Sequence, residues 1–325
     1  MFKQLMTHAL ASIALATAWS SAALAAYPEK ALNLIVPYVA GSPADNVARM
    51  IGKELSARLG QPVIVDNRAG GNGMIGAEAG ARARPDGYTL ILGNMDTHAL
   101  NSLLFKDIRY DVERDFKPVI QIGNPHTMLV ARGDFPGNTL PEVLEASRKE
   151  PGKYTWGSWG QGSVAHLWGA YLNEQAGVEW LHVPYKGTPA AVVALLSGQI
   201  DFLFMPPSLA MDNQAAGKIK VLGVSSSERS KVYPEVPTIE EQGVAPYEGT
   251  TWFGLFAPAG TPDEIIERLN QELNVIVASP AAAATFASLA LTPVGGTPQD
   301  LAATIEASRE KWGKVITEHN IALHD

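Results

Sequence analysis

Leu32-Asn33-Leu34-Ile35-Val36-Pro37 is a short apolar run that leads through Tyr38-Val39-Ala40-Gly41 into Ser42-Pro43-Ala44-Asp45. A run this short and this apolar reads as a buried strand. Ser42 suits the N-cap of a helix and Pro43 its first position, and Asp45 sits three residues after the cap, as in a capping box. Over residues 45–59, Val47, Ile51, Leu55 and Leu59 recur every four positions and make one helical face, which Gly60 ends. A buried strand followed at once by a capped amphipathic helix is the opening of an α/β unit.

The same unit recurs along the chain. Strands are expected over 62–65, 88–92, 128–131, 155–157, 180–183, 200–204, 220–224 and 252–257. Helices are expected over 74–84, 139–149, 164–176, 190–196, 263–277, 281–289 and 299–318. This alternation implies mainly parallel sheets covered by helices on both faces. Two α/β lobes are expected. The chain should cross outward near 123–125 and return near 224–227, so that one lobe is discontinuous (26–124 plus 225–325) and the other spans 125–224. A cleft between two such lobes is where a small ligand sits.

The composition narrows the function. The 325 residues are 46% hydrophobic and 18% charged, with no cysteine and a formal net charge of −8. That excludes a collagen, a disordered tail and a disulfide scaffold, and a nucleic-acid binder would show a basic face. Without cysteine there is no thiol nucleophile and no thiolate metal site. At the N-terminus, Lys3, an apolar stretch over 9–18 and Ala23-Leu24-Ala25 form a secretory signal peptide, expected to span 1–25. The mature chain is therefore expected in the periplasm.

Four loops that open helices carry the chemistry. They are Tyr38-Val39-Ala40-Gly41-Ser42-Pro43-Ala44-Asp45, Gly93-Asn94-Met95-Asp96-Thr97-His98, Gly157-Ser158-Trp159-Gly160-Gln161-Gly162-Ser163 and Pro184-Tyr185-Lys186-Gly187-Thr188-Pro189. A helix N-terminus offers unpaired N–H groups and about half a positive charge, and two facing across a cleft hold an anion without a cation. Such hydrogen bonds are worth roughly 1.5–3 kcal/mol each, so several sustain the roughly 8 kcal/mol of micromolar binding. The residues expected at the ligand are Tyr38, Val39, Ala40, Gly41, Ser42, Ala44, Asp45, Asp96, Thr97, Ser158, Trp159, Gly162, Ser163, Tyr185, Gly187, Thr188 and Pro206. No catalytic residue, metal or cofactor is expected.

Taken together, Tyr27-Pro28, Leu34-Ile35-Val36-Pro37-Tyr38, Asp66-Asn67-Arg68-Ala69-Gly70-Gly71-Asn72, Pro85-Asp86-Gly87-Tyr88-Thr89-Leu90, His182-Val183-Pro184-Tyr185-Lys186-Gly187 and Trp252-Phe253-Gly254-Leu255-Phe256-Ala257-Pro258-Ala259-Gly260-Thr261-Pro262 resemble the Bug (Bordetella uptake gene) family, the periplasmic solute-binding proteins of tripartite tricarboxylate transporters. The resemblance covers essentially the whole mature chain. It implies a type II periplasmic-binding-protein-like fold, two α/β lobes around a central ligand cleft, and a monomer that hands its ligand to membrane permease subunits. It also implies a carboxylate held by backbone amides and bridging waters from residues 39–45, faced by 158–163 and 185–188. The chain departs from the family's Pro-Pro-Gly-Gly at Val39-Ala40-Gly41-Ser42, and Ala44 stands where a hydroxyl residue usually precedes Asp45. The ligand expected is a di- or tricarboxylate or an aromatic carboxylate. Trp159 replaces a usually small residue; with Trp156 and Trp168 nearby, an aromatic lining would favour a flat or aromatic acid, the alternative being that these are core or lobe-surface tryptophans.

Rival readings are weaker. Gly71-Asn72-Gly73-Met74-Ile75-Gly76, with Asp96 further on, has the form of a dinucleotide fingerprint. It follows the second strand rather than the first, and a glycine-rich turn packing a helix on the sheet fits better. An exported serine-type hydrolase of small esters or amides is the enzyme alternative, yet no Gly-x-Ser-x-Gly elbow occurs. Arg68 or Lys186 as a charged clamp would change the mode of recognition.

Overall fold

The computed structural model describes residues 27–318; the expected leader lies outside them. Strand β1 (Leu32–Val36) leads into helix α1 (Pro43–Leu59), followed by β2 (Val63–Asn67), α2 (Met74–Ala81) and β3 (Thr89–Asn94). β1 pairs in parallel with both β2 and β3. Beyond β3 come a wide π-type turn over Asp96–Leu100, short helices α3 (Asn101–Leu104) and α4 (Val112–Asp115), and the long strand β4 (Phe116–Pro125).

The chain then leaves the first sheet. β5 (Met128–Arg132), α5 (Leu140–Lys149), β6 (Thr155–Ser158), α6 (Val164–Ala176), β7 (Leu181–Pro184), α7 (Thr188–Leu196), β8 (Phe202–Met205), α8 (Pro207–Ala215) and β9 (Ile219–Val224) build a second sheet in the order β7-β6-β8-β5-β9. On return, β10 (Phe253–Pro258) inserts between β4 and β3. Helices α9 (Asp263–Val277) and α10 (Pro280–Ser288), strand β11 (Leu291–Gly295) and helix α11 (Pro298–Glu318) complete the first lobe, whose sheet order is β11-β4-β10-β3-β1-β2. The protein is thus an α/β molecule of two lobes.

The sheets differ from the mainly parallel ones expected: both are mixed. β10 runs antiparallel to β3 and β4, β11 to β4, and β5 to β8 and β9. Helical crossovers enforce parallel pairing within β1–β3 and β6–β8. β5 and β10 instead arrive from the other lobe, with no such constraint. β4 and β11 went unread because each contains proline. Pro118 sits beside a register shift in the β4–β10 ladder, and Pro293 lies on an edge strand, the two places where a sheet tolerates it.

The glycine-rich run after β2 packs as its simpler reading expects. Gly73 takes φ +83° to cap α2, and a Cβ on Gly76 would lie 2.7 Å from the Pro37 Cα and 2.8 Å from the Arg68 carbonyl oxygen. The absence of a side chain there lets α2 press against the end of β1, which launches the first loop.

Apolar burial holds both lobes. Leu34, Val36, Val47, Ile51, Leu92 and Leu269 fill one side of the first sheet. On its other side, Ile35, Ile91 and Phe256 belong to a core that continues through Trp312, Tyr247 and Trp168 to Phe202 and Phe204 of the second lobe. The two crossing segments are tied together: Thr127 and Ser225 hydroxyls lie 2.7 Å apart, and the Ser225 amide donates to the Thr127 carbonyl at 3.0 Å. Among the described residues, no helix is long and apolar enough to cross a membrane.

Candidate functional site

Between the two sheets lies a cavity of about 80 Å³. On the same measure one water needs roughly 10–15 Å³, so the space suits a small molecule. The first lobe contributes Tyr38, Val39, Ser42, Pro43, Ala44, Asn94, Thr251, Phe253 and Leu289, and the second contributes Trp159, Val164, Gly187, Thr188 and Pro206. Pro125, His126 and Thr127 of the outward crossing close one end. The N-termini of α1 and α7 therefore reach the same space from opposite sides. Among the described residues, no lysine, arginine, aspartate or glutamate stands in this lining, and burial lowers the pKa of His126.

Local sequence explains why the first loop presents its amides. Ser42 adopts the extended conformation of an N-cap, and its Oγ accepts the Asp45 N–H at 3.3 Å. Pro43 at the first helical position has no N–H, so the first donor of the helix is the amide of Ala44, a residue of the cavity lining. Asp45 stands behind the loop: its Oδ2 accepts from the Gly41 amide and from Arg49 Nε, both at 2.9 Å, and its Oδ1 accepts from Asn67 Nδ2 at 3.0 Å. Asn67 Nδ2 also donates to the Tyr38 carbonyl, so both ends of the loop are pinned.

Of the residues expected at the ligand, the cavity brings together Tyr38, Val39, Ser42, Ala44, Trp159, Gly187, Thr188 and Pro206. Gly41 opens onto an adjoining recess with Pro43 and Thr188. Ala40 is exposed and outside the lining. Asp45, Asp96, Thr97, Ser158, Gly162, Ser163 and Tyr185 lie outside it as well. Ser163 Oγ caps α6 by accepting the His166 amide, the Gly162 amide donates to His166 Nδ1, and the Tyr185 amide donates to the Ser158 carbonyl. Arg68 pairs with Asp66 away from the cavity, and Lys186 is exposed.

Sequence reasoning missed Pro43, Asn94, Pro125, His126, Thr127, Val164, Thr251, Phe253 and Leu289. Thr251 is notable, because its buried hydroxyl finds no hydrogen-bond partner among the described residues. Asn94 was within reach, since it falls in the second glycine-containing loop. The crossing residues carry no local signal, being brought in by the tertiary path alone.

Asp96 is fully buried where the lobes meet. Its Oδ1 accepts the Val164 amide at 2.7 Å, at the start of α6. Its Oδ2 lies 3.2 Å from both Trp159 Nε1 and the Tyr38 hydroxyl. Burial, incompletely offset by these donors, raises its pKa above the ordinary carboxylate range. The carboxylate of the first lobe thus caps a helix of the second.

Behind it, His98 stacks on Phe256 at 3.8 Å, and its Nδ1 lies 2.8 Å from the Thr97 hydroxyl. Burial pushes its pKa down to about 3. The unfolded chain binds this proton near pH 6.5 and the folded chain does not, so acidification favours unfolding. His98 alone should remove about 2 kcal/mol of stability between pH 7.5 and pH 5. His182, lowered to about 3 by burial and by His166, acts in the same direction. Asp96 opposes them, because its raised pKa makes ionisation a penalty that is relieved as pH falls through the folded value. Urea unfolding at the two pH values checks the net sign: stability should be lower at pH 5.

Ser158 Oγ lies 2.7 Å from His182 Nε2, the contact of a nucleophile with its base. However, Ser158 has no exposed surface, and the same Oγ lies 2.8 Å from the Gly160 carbonyl. The rings of His182 and His166 stack at 3.9 Å in the interior of the second lobe. Among the described residues, no group of three acidic or histidine side chains is placed to hold a metal ion.

The chain is similar to known proteins over nearly its whole length. A family model described as "Tripartite tricarboxylate transporter family receptor" matches residues 47–321. Protein BugT of Bordetella pertussis is 35% identical over 325 aligned residues, covering 98% of this chain and 99% of BugT. The R. palustris protein Rpa4515, solved with adipate, superposes with a TM-score of 0.88 at 33% identity, over 91% of this chain and 99% of that one. The periplasmic binding protein BugD superposes with a TM-score of 0.85 at 32% identity, over 91% and 99% respectively.

Proposed function

Because the chain belongs to the receptor family of tripartite tricarboxylate transporters, we propose that it captures a small organic carboxylate outside the cytoplasm and delivers it to the permease subunits of such a transporter. It acts as a monomer, exported by its N-terminal leader. Residues 26–124 and 225–325 form one lobe, 125–224 form the other, and the tied crossings at Thr127 and Ser225 form the hinge. One observation carries the reading: the N-termini of α1 and α7 meet at a cavity whose lining holds no charged side chain. Amides of the first turns, with the Ser42 and Thr188 hydroxyls and bridging waters, take the carboxylate. Tyr38, Trp159 and Phe253 receive its apolar body. Bound adipate in a relative of 33% identity supports the chemical class.

A thermal-shift panel pairing acids with their neutral amides, such as benzoate with benzamide and hexanoate with hexanamide, tests it. Stabilisation grows as RT ln(1 + [L]/Kd), about 2.7 kcal/mol at a hundredfold excess over Kd. The acids should raise the melting temperature and the amides should not; the reverse would reject the reading. The Ser158–His182 pair is the single feature that favours the hydrolase alternative, and turnover of p-nitrophenyl acetate abolished by Ser158→Ala would establish it. We expect no turnover, because Ser158 does not reach the cavity.

A further inference from the structure

The N-termini of α1, α6 and α7 reach the cavity wall, but that of α6 is already taken. α6 gives its first amide, at Val164, to Asp96 Oδ1, and Trp159 gives its indole N–H to Asp96 Oδ2. Val164, Trp159, Tyr38 and Asn94 all line the cavity, so Asp96 stands one side chain behind that wall. Every partner it has is a donor or an amide turned toward it, an arrangement that satisfies a carboxylate. The protein's own carboxylate therefore takes the donors that the start of α6 turns toward the cleft.

The rest of the wall offers no substitute. The far end holds Thr251, with its unpartnered hydroxyl, and His126, whose two ring nitrogens face the hydroxyls of Ser226 and Thr292. These are single neutral groups without paired amides or a cation. We propose that Asp96 makes this cavity a monocarboxylate site: the ligand brings one carboxylate, held at α1 and α7, on an apolar or aromatic body, and a second carboxylate is refused because its donors are consumed and a like charge stands behind the wall. This rests on the carboxylate reading above and narrows it.

Isothermal titration of the mature protein with matched pairs tests it: hexanoate against adipate, and benzoate against terephthalate. The monoacid of at least one pair should bind at least about tenfold tighter than its diacid, the size expected of one unfavourable charge contact. Asp96→Asn keeps an acceptor for the Val164 amide while removing the charge, and should bring that ratio to within about threefold by tightening the diacid. A wild-type preference for the diacids would overturn the inference and leave the carboxylate reading standing. So would an unchanged ratio in folded Asp96→Asn, or a tenfold preference for 6-aminohexanoate over hexanoate, which would make Asp96 a cation's partner. Binding of the amides but of no acid would overturn both. If Asp96→Asn does not fold, the wild-type ratios decide alone.

Discussion

Gly76→Ala should unfold the protein more readily than any conservative change in the cavity lining. Its Cβ would stand 2.7 Å from the Pro37 Cα and 2.8 Å from the Arg68 carbonyl oxygen, backbone atoms that no rotamer change can move aside. Either α2 withdraws from the sheet or the end of β1 shifts. Overpacking of this kind costs about 3 kcal/mol, which lowers the melting temperature by roughly 5–10 °C. The shift would also displace Tyr38, so ligand affinity should fall in whatever fraction still folds. Calorimetry of the variant checks the first part. A melting temperature within about 2 °C of wild type would show that the close approach of α2 to β1 is not a constraint.

Asp45→Ala should act on binding more than on stability. The carboxylate spans the first loop from the Gly41 amide to Asn67, and Asn67 in turn holds the Tyr38 carbonyl. Burial alone would raise its pKa, but hydrogen bonds from Arg49, Gly41 and Asn67 outweigh it and hold the group below the usual carboxylate range. Arg49 is more than half exposed, so its ion pair adds little. The loss lies in the amide and Asn67 bonds, about 2 kcal/mol together. Without them the Val39–Ala44 segment is free to turn its amides away from the cavity. Affinity for the captured acid should drop at least about tenfold while the fold survives. Titration of Asp45→Ala beside Asp45→Asn, which retains an acceptor, separates loop positioning from charge. Equal affinity in all three proteins would remove Asp45 from the account.

The residues that were legible in the sequence are those whose chemistry is local. Ser42-Pro43 announces the start of α1 because capping and the missing proline N–H act within four residues. Helices over 164–176 and 263–277 were read to the residue, their ends fixed by Ser163, Gly177 and Pro262. The kinship found by comparison was likewise visible in short motifs scattered over the chain. Trp159 was separable from Trp156 and Trp168 because glycines flank it, and it alone of the three lines the cavity.

What escaped reading was set by distant partners. β4 carries Pro118 and Pro125 and was not assigned as a strand; β10 supplies the ladder whose register shift absorbs the first. Within a binding loop, sequence does not tell a residue that faces the ligand from one that braces the loop from behind. Asp45 and Asp96 were grouped with Ser42 and Trp159 for that reason. The π-type turn that buries Asp96 against the other lobe has no sequence signature of its own.

The central claim is that main-chain amides, rather than an ionised side chain, grip the anion. Its most direct test is calorimetric titration of the Arg68→Ala/Lys186→Ala double variant with whichever acid of the panel stabilises the wild-type protein most. Both side chains lie outside the lining, so the dissociation constant should stay within about threefold of wild type. A loss of about a hundredfold or more, equivalent to roughly 2.7 kcal/mol, would mean that a cation holds the ligand after all.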